Sequence, residues 1–287
     1  MQEYKFHVLG CRGSRPMSGA SFLQFGGATS CYLMRAGTHA VVLDCGTGLY
    51  DARPYLKGCS DIDVLVTHIH YDHVLGLLDK GAMPTDAQIR FFVSGEKPAQ
   101  LYQLSDFLRK PFWPIPQDIG EVICVDCDCT LQLSKHFSAR FFPANHPDNS
   151  AIIRLDTDCG SMCLVSDWEH PADDKSDVLA EAVKDCSFIL YDGMYVDEEY
   201  PMHKGWGHST WQEGIKVAVQ NKVPQLIITH HLPERTDSEL LSIEAKAKKV
   251  MPTIHFARAG DDYLLSDCNR VSALHVNHDW DIFKKEK

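Results

Sequence analysis

VLVTHIHYDHVLGL, residues 64–77, sets a short apolar strand against a burst of histidines. Val64, Leu65 and Val66 make the apolar, β-rich run of a core strand, and the polar cluster begins where that run stops. Side chains two apart on an extended chain share a face, so His68 and His70 can reach one ion. The chain then turns and can present Asp72 and His73 sideways to a second ion. Leu75, Leu77 and Leu78 predict a helix leaving toward the core. A lone histidine after a strand is usually part of a solvated loop, but three with an aspartate between positions 68 and 73 make a metal-ligating pattern.

The rest of the chain is that of an ordinary globular protein, with 44% hydrophobic and 23% charged residues over 287 positions. No apolar run approaches the ~18 residues that cross a bilayer, and MQEYKFHVLG lacks the basic stretch and long apolar segment of a secretion signal. The expected location is therefore cytoplasmic, with no membrane partner. Eleven cysteines, scattered and odd in number, read as reduced, packed side chains. Cys124, Cys127 and Cys129 form the one dense group; lacking an identifiable fourth ligand, they read as strand and turn residues rather than a zinc site. A net charge of −11 (28 Lys plus Arg against 39 Asp plus Glu) disfavours tracking a long polyanion, so a small substrate is expected and an extended nucleic-acid surface is not. A homo-oligomer is compatible with the sequence.

Outward from the cluster, strands are expected at Lys5 to Leu9, Thr29 to Met34 and through HAVVLD, where Asp44 either orients a ligand histidine or caps a turn. QIRFFVSG is a further strand. Between Lys97 and Asp118, Pro111, Pro114 and Pro116 exclude regular structure, and Phe112 and Trp113 either wall a substrate pocket or plug the core. Strand-like stretches recur at EVICV, HFSARFF, SAIIRL, SMCLVSD, SFILYDG, QLIITHH and TIHFARAGDDYLL. Between the later ones lie helical patterns. Val178, Leu179, Ala182, Val183 and Cys186 share one face behind a Ser176 cap; Ser209 with Gln212, or Thr210 with Glu213, has capping-box spacing; Leu240, Ile243, Ala247 and Val250 keep helical spacing until Pro252. One α/β domain over residues 1–287, with an insertion near 97–118, accounts for this order.

Three more apolar strands deliver ligand-type residues to an edge: His146, Asp167 and His230. The H-x-H-x-D-H pattern, followed by these three in this order, resembles the metallo-β-lactamase superfamily from the GCRGSRP loop to HLPERTD. The resemblance implies a four-layer αββα sandwich of two mixed β-sheets with helices outside. It implies that His68, His70 and His146 hold one ion, Asp72, His73 and His230 the other, and that Asp167 bridges them. Flavodiiron reductases of the superfamily carry a carboxylate at the position of His70 and an added flavodoxin domain, and true β-lactamases carry a cysteine at the position of Asp167; this chain has none of these. A bridging carboxylate with nitrogen-rich sites suits two divalent ions, zinc first, with manganese or iron able to take the same ligands. His231 should point away from the site, Glu169 and His170 read as neighbours of the ligands or surface residues, and His7, His39, His136, His255, His275 and His278 as ordinary histidines.

GWGHST, residues 205–210, places His208 at a helix start, where backbone N–H groups and the helix dipole favour an anion. The segment resembles the phosphodiesterase branch of the superfamily, which includes transfer-RNA 3′-end nucleases and cyclic-phosphodiester hydrolases. The resemblance implies that His208 contacts phosphate; a capping or loop role is the alternative. The expectation is a two-metal phosphodiesterase for a small or cyclic phosphodiester, in which hydroxide generated at the ions attacks phosphorus, Asp72 orients the nucleophile or takes its proton, and His208 serves the leaving oxygen. Alternatives are a transfer-RNA 3′-processing endonuclease, a thioester or lactone hydrolase, and a non-enzymatic metal-bound redox sensor using the cysteines.

Overall fold

The computed structural model describes residues 3–94, 108–111, 113–114, 121–127, 129–172, 177–266 and 270–274. Most of the Pro- and aromatic-rich segment, together with Ser176, His275 and His278, lies outside them. Eight strands form the first sheet: β1 (Tyr4–Gly10), β2 (Cys31–Ala36), β3 (His39–Leu43), β4 (Asp61–Val66), β5 (Gln88–Ser94) and β6 (Glu121–Val125), joined by two strands from the end of the chain. The second sheet takes the intervening seven: β7 (Thr130–Gln132), β8 (Ser138–Pro143), β9 (Ala151–Thr157), β10 (Gly160–Val165), β11 (Phe188–Asp192), β12 (Leu226–Thr229) and β13 (Ile254–Phe256). The chain then returns to the first sheet as β14 (Asp262–Ser266) and β15 (Arg270–Leu274), giving the orders β15-β14-β1-β2-β3-β4-β5-β6 and β13-β12-β11-β10-β9-β8-β7.

Both sheets are mixed, and the pattern of apolar residues explains why. Strands β3 to β6 run parallel, as do β10 to β13, and the central members read as uninterrupted apolar runs because both faces are covered. The expected αββα layering is what the molecule shows. Phe6, Val8, Tyr32, Leu43, Leu65, Phe141, Ile153, Leu164, Leu190 and Ile227 interleave in the core that contains residues of both sheets. On its other face the first sheet buries Val42, Val64 and Phe91 against Leu49, Leu56 and Leu77 of short helical turns, including α1 (Arg53–Leu56) and α2 (Tyr71–Val74). The second sheet is covered by α3 (Asp177–Val183), α4 (Trp211–Gln220) and α5 (Asp237–Val250), which bury Leu179, Ile215 and Leu240. Cys11, Cys31, Cys45, Cys163 and Cys186 are buried free thiols, and among the described residues no helix is long and apolar enough to cross a membrane.

Several expectations need correction. TIHFARAGDDYLL is not one strand: it breaks at the Ala257–Asp261 turn, so that β13 extends the second sheet and β14 pairs with β1 in the first. Val178 and Val250 keep the right helical spacing yet remain 37% and 66% exposed, because the cores beneath are filled by Leu179, Ala182 and Val183, and by Leu240 and Ala247. After α2 the helix tightens into a 3-10 turn over Leu75–Leu78 rather than continuing. Helix α5 opens on a capping box that the sequence reading passed over: Thr236 Oγ1 accepts from Glu239 N, and Glu239 accepts from Thr236 N at 2.8 Å.

Glu244 on α5 is the one acidic side chain that this helix buries, and it is fully employed. It accepts from Phe256 N at 3.4 Å, Lys248 Nζ at 2.8 Å and Arg258 Nη2 at 2.5 Å, tying α5 to the strand beneath. Burial pushes its carboxyl up, but the two cations outweigh burial and hold it below the ordinary range. A depressed folded-state pKa means stabilisation that is present above the unfolded value, about 4.3, and lost as pH falls through the lower folded value. Glu244→Gln should cost about 1–3 kcal/mol at neutral pH, with the deficit shrinking in acid. Denaturant melts against pH test this; parallel curves for the two proteins would contradict it.

Candidate metal centre

The two sheets bring their strand ends to one edge. Parallel strands β3 and β4 finish side by side, and a backbone hydrogen bond from Asp44 N to Leu65 O locks the exit of β3 against β4. In the second sheet, β10, β11 and β12 run parallel, so Asp167, Asp192 and His230 emerge at neighbouring positions. Asp44, Asp167 and His230 each leave their strand in the left-handed region, with φ of 58°, 52° and 56°. For a residue with a Cβ that turn is strained, and it occurs here at three strand ends around one site.

Asp44 organises the first half. Its carboxylate accepts from Thr67 N at 2.8 Å, from Thr67 Oγ1 at 3.0 Å and from His73 Nδ1 at 2.7 Å, and it is wholly buried. Of the two readings left open for Asp44, both hold: it caps the strand exit and orients an imidazole. With Nδ1 held by a carboxylate, His73 turns its Nε2 toward the centre. Asp44→Asn should weaken metal binding by about 10–100-fold while leaving the ligand side chains in place. Competition with a chromogenic chelator measures this, and unchanged affinity would show that Asp44 only caps the turn.

Two groups of ligand-type atoms converge, each with its members within 4.8 Å of one another: His68, His70, His146 and Asp167 in one, Asp72, His73 and His230 in the other. Asp167 stands between them. Its Oδ1 is 3.8 Å from His68 Nε2 and 3.9 Å from His146 Nε2, whereas its Oδ2 is 3.1 Å from His73 Nε2 and 3.3 Å from His230 Nε2. One oxygen therefore faces each group. Asp72 Oδ2 is 3.2 Å from His73 Nε2 and 3.1 Å from His230 Nε2, and it accepts from Ser14 N at 2.7 Å. The Ser14 contact explains the GCRGSRP loop, which closes over the site: Gly13 N donates to His231 O at 3.0 Å, and a Cβ on Gly13 would stand 2.6 Å from His230 Nδ1.

The charges are arranged to suit cations. Burial disfavours the ionised form of Asp167 and Asp72, yet the imidazoles around them hold both carboxyls well below the usual range. Burial first, and then the neighbouring imidazoles, keep His68 far below its ordinary value and take His146 down to about 4 against the pull of Asp167, so these two imidazoles are neutral and ready to ligate. His230 and His73 resist burial because Asp167 and Asp72 raise them, His230 to about 9. His68 Nε2 and His73 Nε2 are buried without a well-aligned hydrogen bond, although Asp167 Oδ2 lies 3.1 Å from the latter. Orphaned imidazole nitrogens facing ionised carboxylates are the donor set of a divalent-metal centre, and the residues present fit one. His70 is the solvent-side member; its side chain is 42% exposed and its Nε2 lies 2.9 Å from Asp148 Oδ2.

His208 arrives from the loop before α4. Its Nδ1 is engaged by Asp192 Oδ2 at 2.9 Å, its ring lies 5.0 Å from that of His230 and 6.0 Å from that of His146, and it is 3.9 Å from Asp167 Oδ1. Proximity alone would also group it with Asp167 and His230 as a ligand. The hydrogen bond to Asp192 gives it a different character, since a carboxylate on Nδ1 fixes the tautomer and leaves the far nitrogen for a substrate. Thr210 caps α4, its Oγ1 accepting from Glu213 N, so this member of the two candidate spacings is the one used. Glu169 is a buried acceptor: Gly205 N, Gly207 N and Tyr200 OH all donate to its carboxylate at 2.7–2.9 Å. His170 Nδ1 meets Ser209 Oγ at 2.9 Å.

Asp192 and the Ser14 amide are the site residues that sequence reasoning missed. Asp192 ends an apolar strand, FILYD, as Asp44 and Asp167 end theirs, and that repetition was the available signal. His231 turns away: its Nε2 lies 2.9 Å from Ala257 O. His7 and His39 pair with Asp262 and Asp63, far along other strands. Cys124, Cys127 and Cys129 belong to no cluster of metal-ligating groups among the described residues. Trp113 is half-buried, and Phe112 lies outside the described residues.

Residues 39–231 match the family model described as the β-lactamase superfamily domain. Ribonuclease Z 2, mitochondrial, of Schizosaccharomyces pombe is 25% identical over 255 residues, which is 83% of this chain and 35% of that protein. The chain thus spans about a third of that relative's length. Among solved structures, the metallo-β-lactamase-fold protein YhfI of Bacillus subtilis superposes with a TM-score of 0.70 at 18% identity, covering 91% of this chain and 99% of that one. A diphosphatase of the PhnP family superposes with a TM-score of 0.63 at 16% identity, covering 96% and 100%. At these identities the structural likeness concerns the fold.

Proposed function

The chain belongs to the β-lactamase superfamily, and from that premise we propose that it is a two-metal hydrolase that cleaves a small or cyclic phosphodiester. The observation that carries the choice of substrate is His208, held at Nδ1 by Asp192 and facing the centre from the start of α4. His68, His70 and His146 would hold one divalent ion, Asp72, His73 and His230 the other, with Asp167 shared; zinc suits this nitrogen-rich set best. Bound ions of this kind polarise a phosphoryl oxygen and make water a nucleophile at neutral pH. The protein's own groups do the rest.

Asp72, fixed by Ser14 N and His230, is the acceptor placed to orient the attacking water and draw off a proton. As the new P–O bond forms, one ester P–O bond breaks, and His208 delivers a proton to the departing oxygen. With Nδ1–H held by Asp192, the proton delivered is the one on Nε2 of the imidazolium, and Asp192 keeps that ring in the orientation that the transfer needs. The start of α4 adds N–H groups and a helix dipole that favour the phosphate's charge.

A second reading, transfer-RNA 3′ processing, is supported by the similarity to Ribonuclease Z 2. Against it stands the net charge of −11, unsuited to gripping a long polyanion. The test is a panel assayed with metal-reconstituted protein: cyclic nucleotides, cyclic ribose phosphate, bis(p-nitrophenyl) phosphate, precursor transfer RNA and thioesters. Turnover of the small diesters is expected. Turnover of a thioester with every phosphodiester inert would overturn the proposal, and cleavage of precursor transfer RNA alone would select the second reading.

A further inference from the structure

Trp206 sits two residues before His208 and leaves 60% of its surface open to solvent. Its loop is nevertheless held tightly. Gly205 N and Gly207 N, on either side of the tryptophan, both donate to the buried Glu169 carboxylate, at 2.7 and 2.9 Å, and Trp206 N donates to His203 O at 3.1 Å. Arg235 clamps the start of the same segment through two bonds to Glu199, at 2.9 and 2.6 Å. On the inner side, Gly207 lies so close to the metal centre that a Cβ there would stand 2.2 Å from His146 Cδ2. The indole is thus anchored at the rim of the site, one residue from a backbone in contact with His146.

A series of rings links it to His208. The His203 ring stands edge-on to the indole at 5.0 Å and stacks on Tyr195 at 4.2 Å with an interplanar angle of 16°; Tyr195 in turn meets the His208 ring at 6.2 Å. Each ring but the outermost is at least half covered, and the outermost is the largest. A large apolar ring on a pinned backbone beside a phosphate-facing histidine has the form of a stacking platform, because little loop entropy is lost when something planar settles on it.

Building on the phosphodiester reading above, we infer that Trp206 stacks on a nucleobase carried by the substrate, and so selects nucleoside cyclic phosphodiesters over a cyclic ribose phosphate that has no base. The negative surface fits this size of ligand: one base and one phosphate can be recognised without a basic track.

The test compares metal-loaded wild type, Trp206→Ala and Trp206→Phe on 2′,3′-cyclic AMP and on ribose 1,2-cyclic phosphate, together with AMP binding by calorimetry. Removing the ring should raise KM for the cyclic nucleotide about tenfold, leave kcat nearly constant, and barely affect the base-free substrate. Phenylalanine should restore most of the loss, and AMP binding should weaken in parallel. Equal effects on both substrates, or none on either, would overturn the inference. If the wild type turned over no phosphodiester yet bound AMP in a Trp206-dependent way, the reaction would be wrong and the platform right. If it neither cleaved nor bound, both would fall.

Discussion

Asp167→Asn should yield a folded protein whose turnover is reduced by more than about 100-fold, since even a partner one shell removed from a metal costs about 10–100-fold. The reason lies in how the carboxylate is shared. Its Oδ1 faces His68 and His146, and its Oδ2 faces His73 and His230, so one side chain neutralises charge in both halves of the centre. An amide keeps the shape but removes the charge and turns one acceptor into a donor. It would point an N–H₂ at imidazole nitrogens on one side or the other. Metal content by elemental analysis should fall below two ions per chain, while circular dichroism keeps its αβ signature. A variant that retained two ions and full turnover would mean that the two groups of ligands work independently.

His208→Ala is expected to behave in the opposite way with respect to metal. Both ions should stay bound while kcat for a phosphodiester with a poor leaving group falls about 10²–10⁴-fold, the usual range for a lost general acid. Diesters with p-nitrophenol as leaving group should be hurt much less, because that oxygen departs without needing a proton. Asp192→Asn should give a smaller loss, as the ring remains but loses the carboxylate that accepts from its Nδ1–H and holds its orientation. Metal loss accompanying the His208 substitution would instead identify it as a ligand, as its proximity to Asp167 and His230 permits. Comparing leaving groups in variants of matched metal content separates the two roles.

The sequence pointed to the ligand-type residues where residue type was itself the evidence. VTHIHYDH packs its donors into one short run after a strand, and the structure gathers them with His146, Asp167 and His230 from three distant strand ends. What it did not reveal were the contacts that any sequence would disguise. The Ser14 amide that holds Asp72 is a backbone group with no signature in its side chain. Asp192 resembles any aspartate after a strand until the parallel pairing of β10, β11 and β12 sets it beside the others. Register explains the misreading of Val178 and Val250, because helical spacing indicates which residues share a face but not how wide a stripe the sheet beneath will cover. The division of TIHFARAGDDYLL between two sheets depends on a turn whose direction is set by packing against β1 and β12.

The left-handed strand ends at Asp44, Asp167 and His230 bear on how this protein could be made more robust. At such positions glycine relaxes the backbone, so a campaign that ranked variants by melting temperature alone would be drawn to them. Each apparent improvement there would remove an orienting carboxylate or a member of the candidate metal centre. A hardier version of this chain should therefore be sought at exposed positions such as Val178 and Val250, with these three turns kept as they are.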